Sequence, residues 1–260
     1  MSNDYFRFKQ FCIRHDRCAM KVGTDGVLLG AWGCVEGKRI LDIGTGTGLI
    51  ALMAAQRNPE AEVLGIDIDE SAVIQAKENI DDSPFRERVG CVLLDVMALR
   101  PTKQFDAILC NPPFFTEDTM PDDKQRALAR NSKSLPFAQL IKKAASLLSE
   151  KGRFSVVIPF SHMQEFIGLC LANNLYLERR CIVRTKSNKP PRRALLTFTR
   201  DNRQRTTDNG LPPAPEAKDK ERTTDNGLQN ADNIQEEIIL TNDDGSRSEA
   251  YKALTKDFYL

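Results

Sequence analysis

The chain has no apolar stretch near the length of about 18 residues that a membrane-spanning helix needs, and no N-terminal apolar run suited to a signal peptide. A cytoplasmic protein without a membrane partner is expected. Its charge is nearly balanced, with 37 Lys and Arg against 36 Asp and Glu and a formal net charge of +1, so it is not coated for nucleic acid as a whole. The seven cysteines are odd in number, scattered, and contain no C-x-x-C pair. They read as small buried hydrophobes rather than as disulfides or metal ligands. Histidine is scarce, with only His15 and His162. His15 and Cys18 have metal-compatible spacing, but no second pair supports them, so no metal site is expected. No Ser, Cys or Lys sits in a recognisable nucleophile constellation, and that argues against covalent catalysis. Nothing calls for an obligate protein partner.

At 260 residues and 41% hydrophobic content the chain buries one sizeable core, and one domain over 1–260 is expected. Residues 1–37 form a lead-in. Strands are predicted near 39–43, 62–67, 89–94, 105–110, 153–158, 175–184 and 193–199, with helices near 47–57, 70–80, 136–149 and 161–173. In 136–149 the residues Phe137, Leu140, Ile141, Ala144, Ala145 and Leu148 recur at helical spacing and mark the core face, leaving Lys142, Lys143, Ser146 and Glu150 on the wet face. The alternation predicts a doubly wound α/β protein with a seven-stranded, mostly parallel sheet. The last two strands pair as an antiparallel hairpin whose tip is Lys186 to Pro191. Residues 200–235 break the pattern, being poor in large apolar residues, and Arg205–Leu211 (RTTDNGL) recurs as Arg222–Leu228. Two copies do not make a solenoid, so a flexible, duplicated insertion is expected there. Beyond it, Glu236–Leu240 reads as a short strand or edge segment, and Ser248 opens a closing helix.

Two motifs carry chemistry. The first is Ile40-Leu41-Asp42-Ile43-Gly44-Thr45-Gly46-Thr47-Gly48, a short apolar strand entering a Gly-rich turn and leaving as a helix. Such a turn brings backbone N–H groups close to a ligand at a helix N-terminus. Its G-x-G-x-G spacing is not the G-x-G-x-x-G of dinucleotide sites. The next two strands end in Asp67, placed to accept hydrogen bonds from both ribose hydroxyls, and in Asp95, placed to bind an adenine amino group. Taken singly, each is equally an ordinary strand-end or N-cap acid.

The second motif is Asn111-Pro112-Pro113-Phe114, closing the apolar run that begins at Phe105. An Asn side-chain oxygen, the carbonyl of a rigid Pro-Pro turn and an aromatic face make a pocket for a planar group bearing an amide-like NH2. Accepting hydrogen bonds from both N–H groups localises the nitrogen lone pair and makes it a nucleophile.

With these two motifs the chain resembles the class I S-adenosylmethionine-dependent methyltransferases that methylate amino groups, over about residues 38–200. The resemblance implies a Rossmann-like fold, S-adenosylmethionine across the carboxyl ends of the first strands, and direct transfer of the sulfonium methyl to nitrogen. Such sites act on adenine N6, on guanine N2 in ribosomal RNA and on protein glutamine. Residues 15–32 (HDRCAMKVGTDGVLLGAW) and the closing block from Ser248 to Leu260 are similar to those of the bacterial tRNA1(Val) adenine-N6 methyltransferases, which modify adenosine 37, 3′ of the anticodon. Carried over by position, Lys21, Gly23, Thr24 and Asp25 line the cofactor entrance beside Asp42, Gly44, Gly46, Gly48, Asp67, Asp95 and Asn111. Asn111, Pro112, Pro113 and Phe114 hold the flipped base. Phe114 stands where many members have Tyr.

Local charge points to RNA. Between Arg179 and Arg205 ten basic residues face one acid, Asp201, and Lys124, Arg126, Arg130 and Lys133 follow the Asn-Pro-Pro-Phe turn. Arg126, Arg130, Lys186, Lys189, Arg192 and Arg193 are the candidates for phosphate contact with a tRNA anticodon stem-loop. Solvated loop charges are the plain alternative. A protein glutamine methyltransferase would need a recognition domain longer than the 37 residues before the first strand. A guanine-N2 enzyme of the usual duplicated build would need a longer chain.

Overall fold

The computed structural model describes residues 4–17, 21–113, 135–200 and 234–259. Phe114, Lys124, Arg126, Arg130, Lys133, Cys18 and residues 201–233 of the repeat segment lie outside them.

The chain opens with a small antiparallel hairpin, β1 (Tyr5–Arg7) and β2 (Cys12–Arg14), followed by α1 (Thr24–Trp32). The main sheet begins with β3 (Arg39–Ile43), α2 (Leu49–Arg57), β4 (Glu62–Asp67), α3 (Glu70–Asp81), β5 (Val89–Leu93) and β6 (Phe105–Cys110). It continues through α4 (Phe137–Leu147), β7 (Leu148–Pro159), α5 (Met163–Ala172), β8 (Tyr176–Arg184) and β9 (Pro191–Thr199). β10 (Ile234–Ile239) and α6 (Glu249–Thr255) close the chain.

The strand order is β10-β8-β9-β7-β6-β3-β4-β5. The pairs from β5 through β4, β3 and β6 to β7 are parallel, and β9 is antiparallel to both β7 and β8. These are the seven strands that the sequence predicts, with the expected hairpin. The segment after the repeat adds an eighth, because β10 pairs in parallel along the free edge of β8.

The helices are divided between the two faces of the sheet. Successive residues of β3 point to opposite sides: Ile40 joins a core with α1, α2, α3 and the N-terminal hairpin, whereas Leu41 and Ile43 join a second core with α4 and α5. A parallel strand covered on both faces is apolar at nearly every position, as Ile40–Ile43 is apart from Asp42. In the second core Phe154, Phe166 and Phe198 are all fully buried, and the Phe166 and Phe198 rings lie 5.9 Å apart. Among the described residues no helix is long and apolar enough to cross a membrane.

One helix position departs from its pattern. Lys142, Ser146 and Glu150 are exposed as expected, but Lys143 is buried, and its ammonium donates to the Leu99 carbonyl at 2.7 Å. A long aliphatic stem reaching a backbone acceptor lets a lysine occupy a covered position that spacing alone assigns to solvent.

Candidate active site at the carboxyl edge of the sheet

The parallel register brings the two motifs together. Ile43 of β3 pairs with Ile66 of β4 on one side and with Cys110 of β6 on the other. Gly44, Asp67 and Asn111, each one residue further on, therefore leave the sheet at the same level. Leu93 pairs with Asp67, so Asp95 emerges two residues beyond on the outer strand.

The Gly-rich turn has a conformation that its glycines permit. Gly44, Gly46 and Gly48 have φ of 71°, 55° and 82°, a left-handed region that side chains disfavour. A Cβ at Gly44 or Gly46 would meet nothing within 4 Å, so both face open space into which a ligand fits. The turn is pinned to β4 by Gly44 N–H and Thr45 N–H, which donate to the Ile66 carbonyl at 2.9 and 3.0 Å. Gly46 N–H donates to Asp67 Oδ2 at 2.9 Å, and Asp69 N–H to Oδ1 at 3.0 Å. Each carboxylate oxygen of the half-buried Asp67 thus keeps acceptor capacity for a further donor. Asp95 is exposed, and its Oδ1 caps the short turn Val96–Ala98 by accepting from Met97 N–H at 2.8 Å. The cap uses one carboxylate oxygen, Oδ1.

Asp42 differs from the expectation of a direct ligand contact. It lies fully buried beneath the turn and accepts from the Thr45 hydroxyl at 2.7 Å. Its Oδ1 makes no hydrogen bond among the described residues. Burial pushes the carboxyl up to about 7 and the nearby Asp67 charge adds to the rise, while the Thr45 hydroxyl opposes it. Asp42 therefore acts on the turn from below. Gly65 makes room for the same Thr45 side chain, because a Cβ there would lie 2.7 Å from its hydroxyl.

Asn111 is half-buried, Pro112 buried and Pro113 exposed. Around Asp67 and Asp95, Ile68, Val92, Leu93 and Met97 are exposed apolar residues, with Ile68 at 55%. Sequence reasoning missed these four. The sequence carried a signal for Ile68 alone, the apolar residue directly after a strand-end acid, since Val92, Leu93 and Met97 are two or three positions from Asp95. The buried thiols nearby are inert: burial raises Cys91 to about 12 and Cys110 well above its ordinary value, so neither supplies a thiolate. Among the described residues no group of His, Cys, Asp and Glu is arranged to hold a metal ion.

Thr24 and Asp25 open α1, and Lys21 is exposed just before it. Arg193, at the start of β9, donates to Asp25 at 2.8 Å and ties the hairpin to this helix. The basic cluster is smaller than its sequence count. Arg179 binds Glu236 through two nitrogens and lies 4.2 Å above the Trp32 ring, while Arg184 pairs with Glu237 and Arg200 donates to the Leu148 carbonyl. Lys189 and Arg192 are exposed near the hairpin tip, and Lys186 is half-buried there.

Comparison with known proteins decides the family. Residues 23–171 match the methyltransferase small domain. The tRNA1(Val) (adenine(37)-N6)-methyltransferase of Bacteroides thetaiotaomicron is 41% identical over 100% of this chain and 99% of its own length. The chain belongs to the tRNA1(Val) (adenine(37)-N6)-methyltransferase family. A second member, from Tolumonas auensis, is 37% identical over 100% of this chain and 98% of its own. A crystal structure of a predicted O-methyltransferase from Agrobacterium tumefaciens superposes with a TM-score of 0.62 at 16% identity, covering 90% of this chain and 96% of that one. At that identity the likeness is one of fold alone.

Proposed function

We propose that the chain transfers the methyl group of S-adenosylmethionine to N6 of adenosine 37, the nucleotide 3′ of the anticodon, in tRNA1(Val). Full-length identity to the family carries this reading, and Asn111 leaving the sheet level with Gly44 and Asp67 supports it. S-adenosylmethionine supplies an electrophilic methyl on a sulfonium.

The fit is chemical. The open faces of Gly44 and Gly46 admit a ligand against the backbone, the Asp67 oxygens accept from a ribose diol, and the apolar residues between Asp67 and Asp95 suit an adenine ring. Gly48 completes the turn, and Lys21, Thr24 and Asp25 flank its mouth. The Asn111 side-chain oxygen and the Pro112 carbonyl accept the two N6 hydrogens of the target base, and Phe114 stacks on its ring. Pro112 also restricts Asn111 to extended backbone, which fixes where its side chain leaves the chain. Positioning of this kind supplies most of the acceleration, and no general base is assigned.

An adenine stacked in the anticodon loop has to be flipped out, at a cost of a few kcal/mol that is lower in a loop than in a duplex. Lys186, Lys189 and Arg192 near the hairpin tip form a rim that contacts phosphates of the anticodon stem-loop, a role that the sequence also offers for Arg126 and Arg130, while Arg193 is engaged with Asp25. We take 1–260 as one methyltransferase unit, with 1–37 as lead-in; of the expected 200–235 insertion only 201–233 is taken as dispensable for chemistry, because Arg200 donates to the Leu148 carbonyl and Ile234 and Gln235 pair with β8. The substrate places the protein in the cytoplasm.

The test is to incubate the protein with methyl-labelled S-adenosylmethionine and separate pools of undermodified tRNA, ribosomal RNA and release-factor protein, then digest the labelled pool. N6-methyladenosine from one tRNA is the expected product. N2-methylguanosine from ribosomal RNA or methylglutamine from protein would overturn the assignment.

A further inference from the structure

Helix α3 buries two carboxamides on a face that is otherwise apolar. Asn79 is 1% exposed and Gln75, one turn earlier, 0%, among Ala72, Val73, Ala76 and Ile80. A buried amide is costly unless its donors and acceptors are used. Asn79 uses both ends. Its Oδ1 accepts from Arg14 N–H at 2.9 Å, and its Nδ2 donates to the Arg14 carbonyl at 3.0 Å and to the Thr47 carbonyl at 2.9 Å. Gln75 accepts from Arg17 N–H at 3.0 Å and donates to Glu78 at 3.3 Å, with no hydrogen bond to the turn among the described residues.

Thr47 stands between Gly46 and Gly48, two residues in the left-handed region. A carbonyl flanked by two such glycines is not held by its own backbone preferences. Three N–H groups of the turn, those of Gly44, Thr45 and Gly46, are fixed by β4 through the Ile66 carbonyl and Asp67. From the opposite side, the Asn79 amide fixes Thr47 and binds in the same stroke the end of β2 at Arg14.

We infer that Asn79 is a positioning residue for cofactor binding, its side-chain amide clamping the Gly-rich turn at Thr47 to the end of β2 at Arg14. This rests on the reading that the turn holds S-adenosylmethionine.

The test compares Asn79→Leu with Gln75→Leu by calorimetric titration of S-adenosylmethionine, with thermal melts alongside. Both substitutions remove a buried amide that holds the N-terminal segment, but only the first releases Thr47. Loss of about one buried hydrogen bond in the bound state weakens binding about tenfold, so Asn79→Leu is expected to raise Kd by about that factor. Gln75→Leu is expected to stay within about twofold of wild type despite a comparable fall in melting temperature. At saturating cofactor, Asn79→Leu keeps kcat while its KM for S-adenosylmethionine rises. Should it not fold, Asn79→Ser, whose hydroxyl is too short to reach Thr47, is measured on the same terms. Wild-type affinity in a folded Asn79 variant overturns the inference, as does equal weakening in both variants. Failure of the wild-type protein to bind S-adenosylmethionine at all would instead overturn the reading of the turn, and the inference with it.

Discussion

Replacing Asp42 with Asn should change how stability depends on pH. The carboxyl lies fully buried beneath the cofactor turn and is pushed from 3.8 to about 7. A folded-state value above the unfolded one means that the native protein holds a proton which the unfolded chain has released. The associated stability is complete below 3.8 and is lost as pH rises to about 7. A rise of about three units corresponds to about 4 kcal/mol. The Asn variant has no such titration. Thr45 can still donate to the amide oxygen, while the new NH2 group lies where Oδ1 has no partner, a pH-independent penalty of about 1–3 kcal/mol. Urea denaturation of both proteins from about pH 5 to about pH 8 separates the two effects. The stability of the variant relative to wild type should climb by up to about 1.4 kcal/mol per pH unit and level off above about pH 7. A difference that stays constant with pH would refute the placement of a raised carboxyl at this position.

Other outcomes follow from the same contacts. Arg179→Met removes both nitrogen contacts to Glu236 and the stacking on Trp32. Because the pair is about one-third exposed, a loss of about 1–2 kcal/mol is expected, with faster amide exchange in β10 and little change elsewhere. Substituting Lys186, Lys189 or Arg192 by Ala should reduce the salt slope of tRNA binding by about one each, leaving S-adenosylmethionine affinity unchanged. A slope that does not move would remove that residue from the RNA rim.

Much of the sheet was legible because its parallel strands β3 to β6 are short apolar runs, covered on both faces except at the β5 edge, each closed by a polar residue or glycine. Those closing residues, Gly44, Asp67, Asp95 and Asn111, are the ones that register brings to a common edge. What remained hidden depends on pairs distant in sequence. Arg179 and Glu236 are 57 residues apart, so a local charge count sees ten cations where the fold has neutralised several. β1 and β2 have three residues each, too few for an alternation to register. Lys143 and Asn79 are polar at covered positions, and only the acceptors that meet them, Leu99 and Thr47, explain why they are there. Asp42 fell on the ligand side of the reading because sequence gives its place at the end of a strand but not the face on which its carboxyl lies.

The central claim is that Asn111 prepares the amino nitrogen for attack, and single-turnover methylation of undermodified tRNA1(Val) by Asn111→Ala tests it most directly. Loss of one acceptor of the developing charge is expected to slow methyl transfer by about 10²- to 10³-fold while S-adenosylmethionine affinity stays within about threefold of wild type. A variant that transfers the methyl group at the wild-type rate would contradict the account.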